Sequence, residues 1–292
     1  MHCLNRATSA NGLEPSSVLR GGFTLIEVLV VTLLVTTLMA LGIGVAQSTV
    51  SSACMAREVS AARNLVMALS TSAAENDGRY LPGMDMRVNG STNSVFNLDG
   101  EKITNLRAAQ RYPFRIAPFL GGEFKGTILV NRNLSQVQKA SGGLANFDYT
   151  VSAFPALGMN IFGVGGVVLR DGSTLYSDDC ITTSGGMLGS ILAFASAGQG
   201  KGDKKIDGYS YVTPPTLSSD SPLCLSWSSS GSWDQNDDPM NYGFVDFRYS
   251  GQAVCAFLDG SVRMCSVDEL NDMRLWSPTA ADLNDRNYQM TP

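Results

Sequence analysis

Apolar and polar residues follow three successive rhythms along this chain. From Val28 to Ala56 no residue carries a charge, and VLVVTLLVTTLMALGIGVA, residues 28–46, approaches the roughly 20 apolar residues a helix needs to cross a bilayer core. In the next stretch, CMAREVSAARNLVMALSTSAAEN (54–76), Val59, Ala62, Val66 and Leu69 recur at i, i+3, i+7 and i+10, while Arg57, Ser60 and Asn64 fall on other faces. The two patterns predict one long helix over 23–75, hydrophobic in its first half and amphipathic in its second. ENDGRYLPG (75–83) ends it with turn residues and Pro82. From there to about residue 240 the chain is rich in Gly and Ser, with short candidate strands in GTILV (126–130), FDYTVSAF (147–154), GVVLR (166–170) and GSILAFA (189–195).

The third rhythm lies near the carboxyl end. FVDFRYSGQAVCAFLDGSVRMCSVDEL predicts a strand at 244–249, a turn at Ser250-Gly251, a strand at 253–258, a tight turn at Asp259-Gly260 and a strand at 261–265. Ser266 and Glu269 then have the spacing of a capping box. The whole pattern predicts an α+β fold: a long N-terminal helix packed on a loop-rich head (76–292) with an antiparallel sheet.

Composition narrows the function. The 292 residues, 44% hydrophobic and 16% charged, suffice for a real core. A net charge of −5 with no block of Lys and Arg argues against nucleic acid as a partner. The uncharged run, by contrast, predicts a membrane. A cleaved secretory signal is one explanation, since Arg20 precedes an apolar run that ends in Gly44 and Ala46. Glu27 speaks against it, because an acid in such a run costs roughly 2.5 to 3.5 kcal/mol on insertion scales and is usually kept for a purpose.

Gly22 followed by Phe23, Thr24, Leu25, Ile26, Glu27 and Val28 resembles the cleavage and methylation motif of type IV prepilins and type II secretion pseudopilins. The resemblance implies that prepilin peptidase removes residues 1–22 and methylates the new amine of Phe23. It also implies that Glu27 pairs with the terminal amine of a neighbouring subunit and sets the stagger of a filament. A physical reason supports such pairing: in an apolar medium neither the amine nor the carboxylate is stable alone. The turn leading to Leu81-Pro82 and the Asp259-Gly260 segment resemble pseudopilins of the Verrucomicrobia and Planctomycetes type. There a His, nine residues and Asp-Gly recur; here Tyr249 stands at the His position, so the segment reads as a structural brace.

Removing Arg6, Arg20 and Glu14 with the leader takes the net charge from −5 to −6, and also removes His2, the only histidine. Without imidazole there is no Ser-His-Asp or Cys-His catalysis and no His-ligated metal, which points away from an enzyme. Cys54, Cys180, Cys224, Cys255 and Cys265 remain. A two-residue Asp259-Gly260 turn sets Cys255 opposite Met264 and Cys265 opposite Val254, on different faces, so a disulfide between them needs a bulge or an odd-length loop; Cys180 with Cys224 is the preferred pair. Asp234, Asn236 and Asp238 have the spacing of a calcium loop, yet Pro239 stands where the sharp-turn Gly belongs and Val245 at the twelfth position. Because secretion pseudopilins hold calcium in a carboxyl-side loop, these three are kept as a candidate site, with no other cofactor expected.

The resulting expectation is a structural subunit of a type II secretion or type IV pilus-like filament, anchored once in the inner membrane with its head in the periplasm. Its partners would be prepilin peptidase, other pilin-like subunits and an inner-membrane assembly platform. The alternative is a membrane-anchored periplasmic binding module or minor pilin whose head captures a ligand or DNA.

Overall fold

The computed structural model describes residues 24–142, 147–184, 190–217, 226–228 and 233–291, and for 40–48 the backbone alone. The chain divides into two compact units, Met1–Thr49 and Val50–Pro292. Helix α1, Leu25–Glu75, begins in the first and ends in the second.

In the first unit the described apolar side chains lie open on every face of α1, from Leu25 at 83% exposure to Leu38 at 67% and Met39 at 64%. Thr32, Thr36 and Thr37 turn their hydroxyls back onto the carbonyls of Leu29, Leu33 and Leu34, so no polar group is left dangling among them. Among the described residues no helix is long and apolar enough to cross a membrane. This corrects the expected pilin-like fold with its membrane-crossing first half, the transmembrane assignment, and the single-pass inner-membrane location with a periplasmic head. The apolar stretch is one part of a 51-residue helix that carries Glu27 in its first turn and Arg57, Glu58 and Arg63 further on.

The second unit is α+β with two sheets. Its part of α1 buries Ala61, Ala62, Leu65, Val66, Leu69 and Ala73 in the main core. The helix stops at a left-handed turn, where Asp77 (φ 53°) and Gly78 (φ 79°) reverse the chain and the Gly78 amide donates to the Ala73 carbonyl.

A small sheet has the order β1-β3-β4, from Met84–Asp85, Val167–Val168 and Thr174–Leu175. The larger sheet has the order β6-β2-β5-β7-β8. Its strands are β2 (Leu157–Asn160), β5 (Leu192–Ser196), β6 (Tyr211–Val212), β7 (Gln252–Phe257) and β8 (Val262–Ser266). All neighbours in it run antiparallel except β2 and β6. Short helices α2 (Leu106–Gln110), α3 (Tyr112–Ile116), α4 (Phe124–Thr127), α5 (Asn133–Ser141) and α6 (Phe147–Ala153) form a layer, and α7 (Val267–Leu270) and α8 (Pro278–Asp282) close the carboxyl end. Trp276, Tyr112, Phe194 and Phe247 are fully buried, and the Trp276 indole N–H is satisfied by the Leu270 carbonyl at 2.8 Å.

Three expected strands are absent. Residues 147–153 form α6, and 124–127 form α4 where a strand was expected from 126. The 244–249 segment makes only isolated bridges, Val245 to Ala197 and both Arg248 and Tyr249 to Gln252. The capping box of α7 is present, with Ser266 and Glu269 each satisfying the other's backbone amide.

Candidate functional site

The start of α1 carries the predicted assembly residue. Thr24 donates from its amide and its hydroxyl to one oxygen of Glu27, each at 2.8 Å, and the Glu27 amide donates to the Thr24 hydroxyl at 3.3 Å. This reciprocal pattern is a capping box, which satisfies two of the amides a helix leaves bare at its first turn. The backbone N–H of Thr24, then its hydroxyl, hold the Glu27 carboxyl below the usual range, so it is an anion at the positive end of the helix dipole. Glu27 therefore has a local structural task in addition to any partner. Gly22 and Phe23, the predicted processing residues, lie outside the described residues.

The head contains a second carboxylate constellation that the sequence reading missed. Glu58, on α1, is 1% exposed. Its two oxygens accept from the Ser196 hydroxyl on β5 and from the Tyr249 hydroxyl at 2.6 Å. Arg248 lies 3.6 Å from the same carboxylate and 3.6 Å from Asp246, while Lys205 reaches Asp246 at 3.0 Å. The Arg248 guanidinium also donates to the carbonyls of Ala197, Ala156 and Asp207. Burial disfavours its charge, but Glu58, Asp246 and Asp207 outweigh that and hold its pKa above the usual value. Burial and the Glu58 anion together push the Tyr249 phenol well up, so it stays a donor.

Two local features aim these side chains. Ser250 (φ 53°) and Gly251 (φ 81°) form a two-residue turn in which Tyr249 and Gln252 exchange both backbone bonds, placing Tyr249 at its foot. At Gly198 a Cβ would sit 2.8 Å from an Asp246 oxygen, so only glycine leaves that carboxylate its place. Chemically the constellation is a clamp: each oxygen of Glu58 is occupied from within, and the links run between α1, β5 and the turn before β7. Glu58 was legible in principle. It stands four residues before Ala62 and seven before Leu65, on the stripe that faces the core.

The remaining candidates do not converge. Asp234 accepts from the Asn236 amide at 2.8 Å, and Asp238 caps a short turn by accepting from Met240 and from the Gly200 amide, both at 3.0 Å. The two aspartate side chains are thus directed at backbone N–H groups, and among the described residues no cluster of three or more His, Cys, Asp or Glu is placed to hold a metal ion. Cys180 is a buried free thiol, raised to about 12 by burial and by Asp179. Cys224, its expected partner, lies outside the described residues.

The β7–β8 hairpin differs from expectation by one residue. Cys255 faces Arg263 and Cys265 faces Ala253, because Phe257 bonds to Ser261 across a three-residue loop, Leu258-Asp259-Gly260, with Gly260 at φ 84°. Cys255 and Cys265 are therefore diagonal neighbours on one face, both buried and both free thiols. Burial pushes Cys255 up, and the hydrogen bond it donates to Cys265 draws Cys265 down. Diagonal Cα atoms typically lie about 7 to 8 Å apart, beyond the usual disulfide span of about 4.4 to 6.8 Å, so the odd-length loop brings the two thiols to one face without bridging them.

Comparison with protein-family models, with curated proteins and with solved structures finds no match for this chain.

Proposed function

We propose that this protein is a structural, pilin-like subunit of a type II secretion or type IV pilus-like filament. In this reading prepilin peptidase cuts it after Gly22 and methylates Phe23, and the apolar start of α1 then packs against the same segment of other copies. The observation that carries the reading is the apolar surface of α1: Leu25, Leu29, Leu33 and Leu38 are each more than half exposed, and Ile26, Val28 and Val31 extend the surface round the helix. So continuous an apolar surface marks a partner site, and the Gly22-Phe23 junction with Glu27 matches the prepilin motif quoted above. Glu27, ionised at the mouth of this surface, is the anion for the amine of a neighbouring Phe23.

Mass spectrometry of the mature protein is expected to find a chain that begins at N-methyl-Phe23. A mature chain beginning anywhere else removes the proposal. Glu27→Gln is expected to be cleaved normally and to be missing from sheared filaments. Its normal incorporation would show that the carboxylate serves the capping box alone.

A further inference from the structure

A cleft of about 550 Å³ opens in the head between the segment that follows α1 and the small sheet. Its floor is made where Arg79 bridges to Thr183 and the Tyr80 amide donates to the Thr182 carbonyl at 2.9 Å. Among the described residues, the charged side chains that line the cleft are Arg79 and Arg87. Among the described residues no ion pair joins Arg79 to an acid. Arg87 is held in place by Asp85, to which its Nε and a terminal nitrogen donate at 2.9 and 2.7 Å.

Asp85 in turn is shared with Arg115, 3.5 Å away and buried, which also donates to the Pro82 carbonyl. One carboxylate thus answers two guanidiniums. Burial works against the Asp85 anion, yet the bonds from Arg87 and the charge of Arg115 hold its carboxyl below the usual range, so the local surplus is fixed. In a chain of net charge −5 this concentration of positive charge stands out. The rest of the wall has neutral hydrogen-bonding groups, the Asn76 side chain, whose Nδ2 donates to the Ser72 carbonyl at 2.6 Å, and the hydroxyls of Thr182 and Thr183, beside an apolar flank at Leu81. A volume of this order is typical of small-molecule sites.

We propose that this cleft binds a small hydroxylated organic anion of the sugar-acid or sugar-phosphate class. Its carboxylate or phosphate sits between Arg79 and Arg87, where charge-assisted bonds are strongest, and its hydroxyls face Asn76, Thr182 and Thr183. The site does not depend on the filament reading. Isothermal titration of the full chain with glucuronate and with glucose 6-phosphate, with glucose as the neutral control, tests it. Saturable binding of either anion, weaker at high salt and absent for glucose, is expected, and which anion binds tells carboxylate from phosphate. Arg79→Ala and Arg87→Ala are each expected to weaken it about ten-fold. Arg79 is exposed, so its variant is expected to keep the parent's unfolding midpoint, and it carries the test if Arg87→Ala does not fold. No saturable binding of either anion, equal binding of glucose, or undiminished binding by Arg79→Ala would overturn the proposal.

Discussion

Two of the carboxylates on helix α1, Glu27 and Glu58, stand in opposite circumstances. Glu27 stands in the open among apolar neighbours and, among the described residues, is bonded within its own first turn. Glu58 is sealed in the head, where a serine, a tyrosine and an arginine from distant parts of the chain converge on it. The difference teaches that an acid in an apolar context can be kept for two unrelated reasons. A buried one must be compensated by the fold itself, or the fold fails. An exposed one in an apolar surface costs the monomer little, and here it caps its own helix.

Substitution can break this contrast, and the largest effect is expected at Glu58. Glu58→Ala leaves Arg248 buried without its α1 partner and strands the Ser196 and Tyr249 hydroxyls. A loss of about 3 to 5 kcal/mol is expected in urea unfolding, enough to melt a marginal domain. A loss below about 1 kcal/mol, the range of exposed pairs, would mean that the clamp is no more than a surface contact.

Tyr249→Phe removes one bond to a charged acceptor and is expected to cost about 1.5 to 3 kcal/mol. It also changes the alkaline limb of stability. The folded phenol titrates above its unfolded value of about 10, so the unfolded chain releases this proton first. The contribution is full below pH of about 10 and is lost as pH rises towards the folded value. Stability measured from pH 9 to 11 is expected to fall less steeply in Tyr249→Phe than in the parent; identical slopes would mean that the phenol is not buried against Glu58.

A smaller change is expected at Ser266→Ala, about 1 kcal/mol from the lost cap of α7, read from the same unfolding curves. Smallest of all is Glu27→Gln, for which the unfolding midpoint of the head is expected to stay unchanged although assembly is lost. A shifted midpoint there would join the two carboxylates in one folding unit and dissolve the contrast.

What was legible in the sequence were features whose cause is local. The Ser266–Glu269 box, the Ser250-Gly251 turn, the strand through Leu192 and Phe194, and the end of α1 at Asp77-Gly78 each depend on a few adjacent residues. The α6 segment misled because Tyr149, Thr150 and Val151 favour strands in isolation. Packing against α2 and α5 overrode that preference and buried Thr150 through Ala153 in the helix. The clamp was illegible as a set, because Ser196 and Tyr249 stand 138 and 191 residues from Glu58.

The three-residue loop at Leu258-Asp259-Gly260 acts on the β8 strand as a reading frame acts on codons. Its odd count fixes which side of the sheet every following residue meets. Point changes within it are tolerable where backbone geometry allows, but loss of one residue inverts the strand. Cys265 would leave the side it shares with Cys255, and Arg263, whose guanidinium now stacks 4.8 Å from the Phe257 ring, would be carried towards Val254 and Ala256. Homologous chains that keep this hairpin should therefore vary in the letters of the loop and hardly ever in its length.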